Sequence, residues 1–195
     1  MEPLPGVSAQ HLMAPKMRKT TPELLNERTS HRLSSVMMLL YPDQAGILTT
    51  IFIERPTDSS IHSGQIAFPG GKMDETDDNP ARTAVRETEE EIGVAASSIE
   101  IIGTLSQLFI PASNFLVIPH LGVLKQTPTF IPSPGEVQSL IPMHISSLLE
   151  MKPSEKEFPT SYGNLLAPYF DFNGHAVWGA TAMMLSEFRE MIGDK

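Results

Sequence analysis

The chain has 195 residues, 41% of them hydrophobic, enough for one compact domain with a sizeable core. A formal net charge of −9 speaks against a nucleic-acid backbone or an anionic membrane as the main partner, and the absence of cysteine excludes disulfides, thiolate catalysis and cysteine-based zinc sites. No apolar run approaches twenty residues and the opening MEPLPGVSAQ is not a signal-peptide pattern, so a soluble cytoplasmic protein is expected.

Residues 1–30 are rich in proline, methionine and polar side chains with little periodicity. They are expected to form an N-terminal arm that orders on the domain or on a partner subunit, which leaves a homodimer open. Residues 31–195 are expected to form a single domain. Apolar runs at 35–41 and 47–53, separated by Pro42-Asp43-Gln44-Ala45-Gly46, predict strand, turn and strand. Residues 65–68 predict a short strand feeding the Gly70-Gly71 turn, and residues 79–92 a helix with Pro80 in its first turn. Residues 99–110 and 115–125 predict two more strands, and residues 136–142 another that leads into a short helix at 145–150. Residues 167–172 and 175–178 flank Asn173-Gly174, the strongest short hairpin signal, and an amphipathic helix is expected at 180–191. The alternation is that of an α/β fold, a mixed sheet between helices.

The chemistry concentrates in residues 70–94, GGKMDETDDNPARTAVRETEEEIGV. Residues three and four apart share a helix face, so Glu87, Glu90 and Glu91 are expected to converge on one side. Carboxylates so placed repel one another unless a cation sits between them, and an oxygen-rich cluster suits Mg²⁺ or Mn²⁺, ions that commonly hold phosphate-bearing substrates. Glu87, Glu90 and Glu91 are therefore the candidate metal ligands. Arg86, one turn from Glu90, is placed to orient a ligand from behind. Ala81, Ala84, Val85, Thr88 and Ile92 form an apolar stripe that would dock the helix on a core. A merely solvated helix mixes its charges, whereas residues 72–94 hold eight acids against three bases, which favours a site. Gly70 and Gly71 would let the backbone approach a diphosphate closely.

This segment resembles the Nudix box, G-x5-E-x7-REU-x-EE-x-GU with U a bulky aliphatic residue. Arg86-Glu87-Thr88 matches the REU element, with threonine for the aliphatic residue, and Glu90-Glu91-Ile92-Gly93-Val94 matches the remainder. The front half departs: from Gly71 to Arg86 the spacing is one residue longer, and Asp77 or Asp78 stands where the box glutamate belongs. That variant is similar to the coenzyme A (CoA) pyrophosphatase branch of the family, GG-x-x-D-x-x-D before the REU element, which Asp74 and Asp77 fit. The upstream signature of that branch, H-x-G-Q-[VI]-A-F-P-G-G, is matched by residues 62–71, from His62 through Gln65 to Gly70 and Gly71. Trp178-Gly179-Ala180-Thr181-Ala182 is similar to its closing W-G-x-T-A element, which looks structural, with Trp178 read as core.

The resemblance, spanning roughly residues 47–188, implies a Nudix-type α/β/α sandwich. It also implies Mg²⁺- or Mn²⁺-dependent hydrolysis of the diphosphate of CoA or acyl-CoA, giving adenosine 3′,5′-bisphosphate and (acyl-)4′-phosphopantetheine. The alternatives are a Nudix pyrophosphatase acting on another nucleoside diphosphate derivative such as ADP-ribose, and a non-catalytic Nudix domain that senses a nucleotide. Glu87 and Glu91 are expected as metal ligands with Glu90 a third, although Glu87 or Glu90 could instead accept the water's proton. Glu136, after Pro134-Gly135, is a candidate base or extra ligand, or a strand-start acid facing solvent. His62 and Gln65 either touch substrate or brace the loop. The branch's signature carries R-S…L-R-x-H before the G-Q. Here Arg55 remains, but Pro56 replaces the serine and Ser60 the second arginine, which removes a bidentate phosphate partner. Arg55, Lys72 and the arm residues Lys16, Arg18 and Lys19 remain as candidates for that contact.

Overall fold

A computed structural model describes residues 3–58, 63–160 and 163–193. The arm carries α1 (Gly6–His11) and α2 (Thr21–Asn26). There follow β1 (Arg32–Pro42), β2 (Leu48–Glu54), β3 (Ile66–Ala67), β4 (Gly70–Lys72), α3 (Pro80–Ile92), β5 (Glu100–Thr104), β6 (Leu108–Ile110) and β7 (Phe115–Val123). The chain continues through β8 (Ser139–His144), α4 (Ile145–Glu150), β9 (Ser154–Thr160), β10 (Gly163–Phe172), β11 (His175–Trp178) and α5 (Gly179–Ile192).

β1 explains the architecture. Its run Met37-Met38-Leu39-Leu40-Tyr41 is apolar without polar alternation because both faces of the strand are covered. Met38 and Leu40 point with Phe52 into a core closed by Ala182, Met183, Met184, Leu185 and Phe188 of α5. Met37, Leu39 and Tyr41 point the other way with Ile51 and Ile53, onto Ala84 and Ile92 of α3. The result is an α/β/α sandwich around a mixed eight-stranded sheet. One edge of β1 pairs antiparallel with β2 and β4, and the other pairs parallel with β7 from Arg32↔Phe115 to Leu40↔Val123. β7 carries β5 and β6 on its far edge, while β2 carries β8 and β3. A separate antiparallel sheet runs β11-β10-β9.

Most expected elements stand within a few residues of their predicted ends, and three points differ. The strand expected over 99–110 is two strands, because Ser106 N–H leaves the ladder to donate to the Glu187 carboxylate at 3.0 Å. β9 was not foreseen: SEKEFPT buries only Phe158, so it has no apolar face to betray it. The arm, for which no elements were expected, is partly helical. Thr20 and Glu23 form a capping box at the start of α2, and α1 docks on α5. Glu187, with no exposed surface, accepts hydrogen bonds from Gly6 N–H (3.2 Å), Gln10 Nε2 (2.9 Å) and Ser106 N–H. The hairpin at Asn173-Gly174 has positive φ at both residues (52° and 86°), the backbone a two-residue primed turn requires. No helix among the described residues is long and apolar enough to cross a membrane.

Candidate active site

The site is built where β4 meets α3. β4 pairs with β1 so closely that a Cβ on Gly70 would lie 2.3 Å from the Ser35 carbonyl oxygen, and Gly70 has φ of 151°, so only glycine fits. Asn79 caps α3 by accepting from Arg82 N–H at 3.0 Å, Pro80 occupies its first turn, and Gly93 ends it in the left-handed conformation at φ 71°. The helix thereby carries its acids back against the glycine turn. Gly70 N–H donates to Glu91 Oε2 at 2.8 Å, and a Cβ on Gly71 would strike the Glu87 carboxylate at 2.5 Å.

The acidic helix face is less uniform than its spacing suggests. Glu91 is buried (3% exposed) and belongs with Thr83, Ala84, Thr88 and Ile92 to the face that docks on the sheet. Glu87 is half-buried beside Gly71, and Glu90, with its side chain 53% exposed, turns to Arg86 Nη1 at 2.7 Å. The three expected ligands thus differ in their surroundings. Among the described residues no three carboxylate or imidazole groups stand together as a ready-made metal cage. The cation already among the acids is Arg86. It makes a two-pronged contact with Asp77 (Nε 3.1 Å, Nη2 2.9 Å) and also reaches Glu87 at 3.0 Å. The Arg86 hydrogen bonds, opposed in part by burial, hold the Asp77 carboxyl down to about 2.

Glu91 is the opposite case. Burial pushes its carboxyl up to about 7, against the lowering influence of Arg55 and the Gly70 N–H, and Glu87 and Glu136 push it further. Burial likewise raises Glu87. Two carboxylates raised by burial, both oxygen donors and both against a turn stripped of side chains, fit a hard divalent cation. Mg²⁺ usually takes only one or two protein carboxylates and completes its shell from water and substrate phosphate. Glu136 lies in the turn before β8, exposed, and close enough to raise both Glu87 and Glu91.

The remaining candidates separate. Arg55 donates from Nη2 to the Gly70 carbonyl at 2.9 Å and stands 4.0 Å from Glu91, so it braces the turn as well as facing the neighbouring cleft. Lys72 and Gln65 line that cleft too, and the Gln65 carbonyl accepts from Arg55 N–H at 3.0 Å. His62 and Ser60 lie outside the described residues. The cleft, about 620 Å³, runs between the glycine turn, β1, β7, the first turns of α5 and the arm. Its lining by Arg18 and Arg28 joins the arm to the site; Arg28 went unnoticed because one exposed arginine in a polar segment carries no sequence signal. Trp178 is not core. It stacks on Phe158 (ring centroids 4.2 Å apart) at the cleft wall, while Thr181 Oγ1 donates to the Ile66 carbonyl at 2.9 Å and ties α5 to β3.

Comparison with known proteins agrees with this construction. A family model described as NUDIX domain matches residues 31–160. The chain is 32% identical over 166 residues to Nudix hydrolase 15, mitochondrial, of Arabidopsis thaliana, covering 82% of this chain and 58% of that protein. It is 30% identical over 176 residues to the Nudix hydrolase NudL of Escherichia fergusonii, covering 89% of this chain and 90% of that protein. The chain thus spans little more than half the length of the plant relatives it matches. Among solved structures, the M. smegmatis Nudix hydrolase RenU superposes with a TM-score of 0.57 at 12% identity, covering 92% of each chain. The NUDIX domain of Shewanella oneidensis NrtR, complexed with ADP ribose, gives 0.56 at 14%, covering 89% of this chain and 99% of that one. At such identities the likeness is one of fold.

Proposed function

Because the chain belongs to the Nudix family, we propose that it is a Mg²⁺- or Mn²⁺-dependent pyrophosphohydrolase. In this reading it splits CoA or acyl-CoA at the diphosphate into adenosine 3′,5′-bisphosphate and (acyl-)4′-phosphopantetheine. One observation carries the reading: Glu87 and Glu91 stand against the Gly70-Gly71 turn at the edge of a cleft lined by cationic and apolar side chains. A diphosphate resists hydrolysis because its anionic oxygens repel the nucleophile. A bound divalent cation supplies charge neutralisation and a more acidic water. Glu87 and Glu91 hold it in this account, with Glu90 or Glu136 available as a further ligand or as acceptor of the water's proton. Arg86 fixes Glu87 and Glu90, and the bare backbone of Gly71 leaves the Glu87 carboxylate room beside the turn. The chain's task is then positioning plus electrostatic stabilisation of charge on the departing phosphate.

A second reading is hydrolysis of another nucleoside diphosphate derivative such as ADP-ribose; it is favoured by serine at position 60, where CoA-type signatures carry an arginine. Product release from CoA, acyl-CoA, ADP-ribose and dinucleotide polyphosphates, with Mg²⁺ and with EDTA, decides between them. CoA or acyl-CoA is expected to give the highest kcat/KM. A clear preference for ADP-ribose establishes the second reading, and no turnover of any member leaves a nucleotide-binding sensor.

A further inference from the structure

The cleft has a cationic pole that hydrolysis of the diphosphate does not use. Arg18, in the arm between α1 and α2, donates from Nη2 to the Phe109 carbonyl at 2.6 Å. Its Nε is buried with no hydrogen-bond partner, and no carboxylate pairs with it among the described residues. Burial pushes this guanidinium below its ordinary pKa. Arg28, its guanidinium over the Phe109 ring at 5.7 Å, lines the same cleft. With Arg55 and Lys72 the lining holds, among the described residues, four cationic side chains and no Asp or Glu, in a chain whose net charge is −9. A cation taken out of water with no counter-charge costs stability, and a ligand that brings the anion offsets that cost on binding. Arg55 is not the equivalent group, since its Nη2 stands 4.0 Å from the Glu91 carboxylate, which supplies a counter-charge.

We propose that Arg18, assisted by Arg28, forms a second anion subsite that binds a phosphomonoester of the substrate distinct from the diphosphate that is cleaved. On the CoA reading, on which this assignment rests, that group is the 3′-phosphate. The arm then selects the substrate and Arg18 is a specificity-determining residue. The apolar wall of Val36, Phe115, Val117, Met183 and Met184 takes the uncharged portion of the ligand.

The test is metal-free calorimetry of adenosine 3′,5′-bisphosphate and of AMP with the full chain. Wild type is expected to bind the bisphosphate about ten- to a hundredfold more tightly, the range of a charge-assisted phosphate contact. Arg18→Gln keeps a donor for the Phe109 carbonyl but loses the charge. It is expected to reduce the preference to within about threefold, with a Tm equal to or above wild type, whereas a merely structural arginine would lower the Tm and leave the preference intact. Arg18→Lys should retain part of the preference. Arg28→Gln, at an exposed position, should reduce it several-fold without touching the buried anchor, and Lys125→Ala, paired with Glu100 on the surface, should not change it. Equal binding of the two nucleotides by wild type, or full preference in both Arg18→Gln and Arg28→Gln, overturns the subsite. Its failure is separable from failure of the CoA reading. Equal turnover of CoA and 3′-dephospho-CoA removes the subsite and leaves the activity. An Arg18-dependent preference without CoA turnover keeps the subsite and removes the substrate.

Discussion

At the scale of single residues, Glu91 has two measurable signatures. Glu91→Gln keeps the size and an acceptor for Gly70 N–H but loses the charge, and kcat is expected to fall at least about a hundredfold in steady-state assays with Mg²⁺. The second signature is thermodynamic. The carboxyl is pushed up to about 7 in the folded chain, against roughly 4.3 for an ordinary glutamate. Between those values the folded state binds the proton that the unfolded state has released, so stability falls as pH rises through this window. In EDTA, the Tm of Glu91→Gln relative to wild type should therefore climb from pH 4 to pH 8; a constant difference would show that Glu91 does not titrate this way. The two glycines separate fold from chemistry. In Gly70→Ala the new Cβ meets backbone at Ser35 and Val36, and a destabilisation of about 2–3 kcal/mol is expected in denaturant titrations. In Gly71→Ala it meets only the end of the Glu87 side chain, so Tm should hold while kcat drops about tenfold or more. The sequence spoke clearly here because spacing and glycine carry their own geometry. It did not reveal that Glu91 faces the core or that Arg86 answers Asp77 first, since helical periodicity gives a face and not the rotamers on it.

At the scale of elements, the arm depends on Glu187. This acid is fully buried in α5 and accepts three donors, from Gly6, Gln10 and Ser106. Glu187→Ala leaves those donors unsatisfied and should cost about 3 kcal/mol, with earlier proteolysis inside residues 3–30 as the companion readout. None of this was legible in the chain, because the partners lie about 180 residues apart and α1 is too short to show periodicity. β9 escaped for a related reason: an edge strand with charged residues on both sides of a single buried phenylalanine resembles a loop. The long apolar strands and the two long helices were legible, since covered faces demand residues that betray themselves. The break between β5 and β6 was not, as it depends on where the distant Glu187 draws one N–H.

At the scale of the whole molecule, the site is one seam between the sheet and one of its two helical layers, so metal and acid should act on the entire fold. Activity is expected to vanish in EDTA and return with excess Mg²⁺ or Mn²⁺; full activity in chelator would contradict the assignment of Glu87 and Glu91. Asp77 acts in the opposite sense to Glu91. Its carboxyl is held at about 2 by Arg86, so its contribution is complete above pH 4 and is lost as pH falls toward 2. Acid unfolding monitored by circular dichroism should accordingly lose its steepest segment in Asp77→Asn. The parallel pairing of β1 with β7 has a further consequence, at the ribosome. β1 meets β2 and β4 soon after it is made, but its other edge stays bare until residues 115–123 have been synthesised. Through that interval a nascent chain displays Met37 to Leu40 along an unpaired strand edge, the kind of surface on which chains join one another before they finish folding.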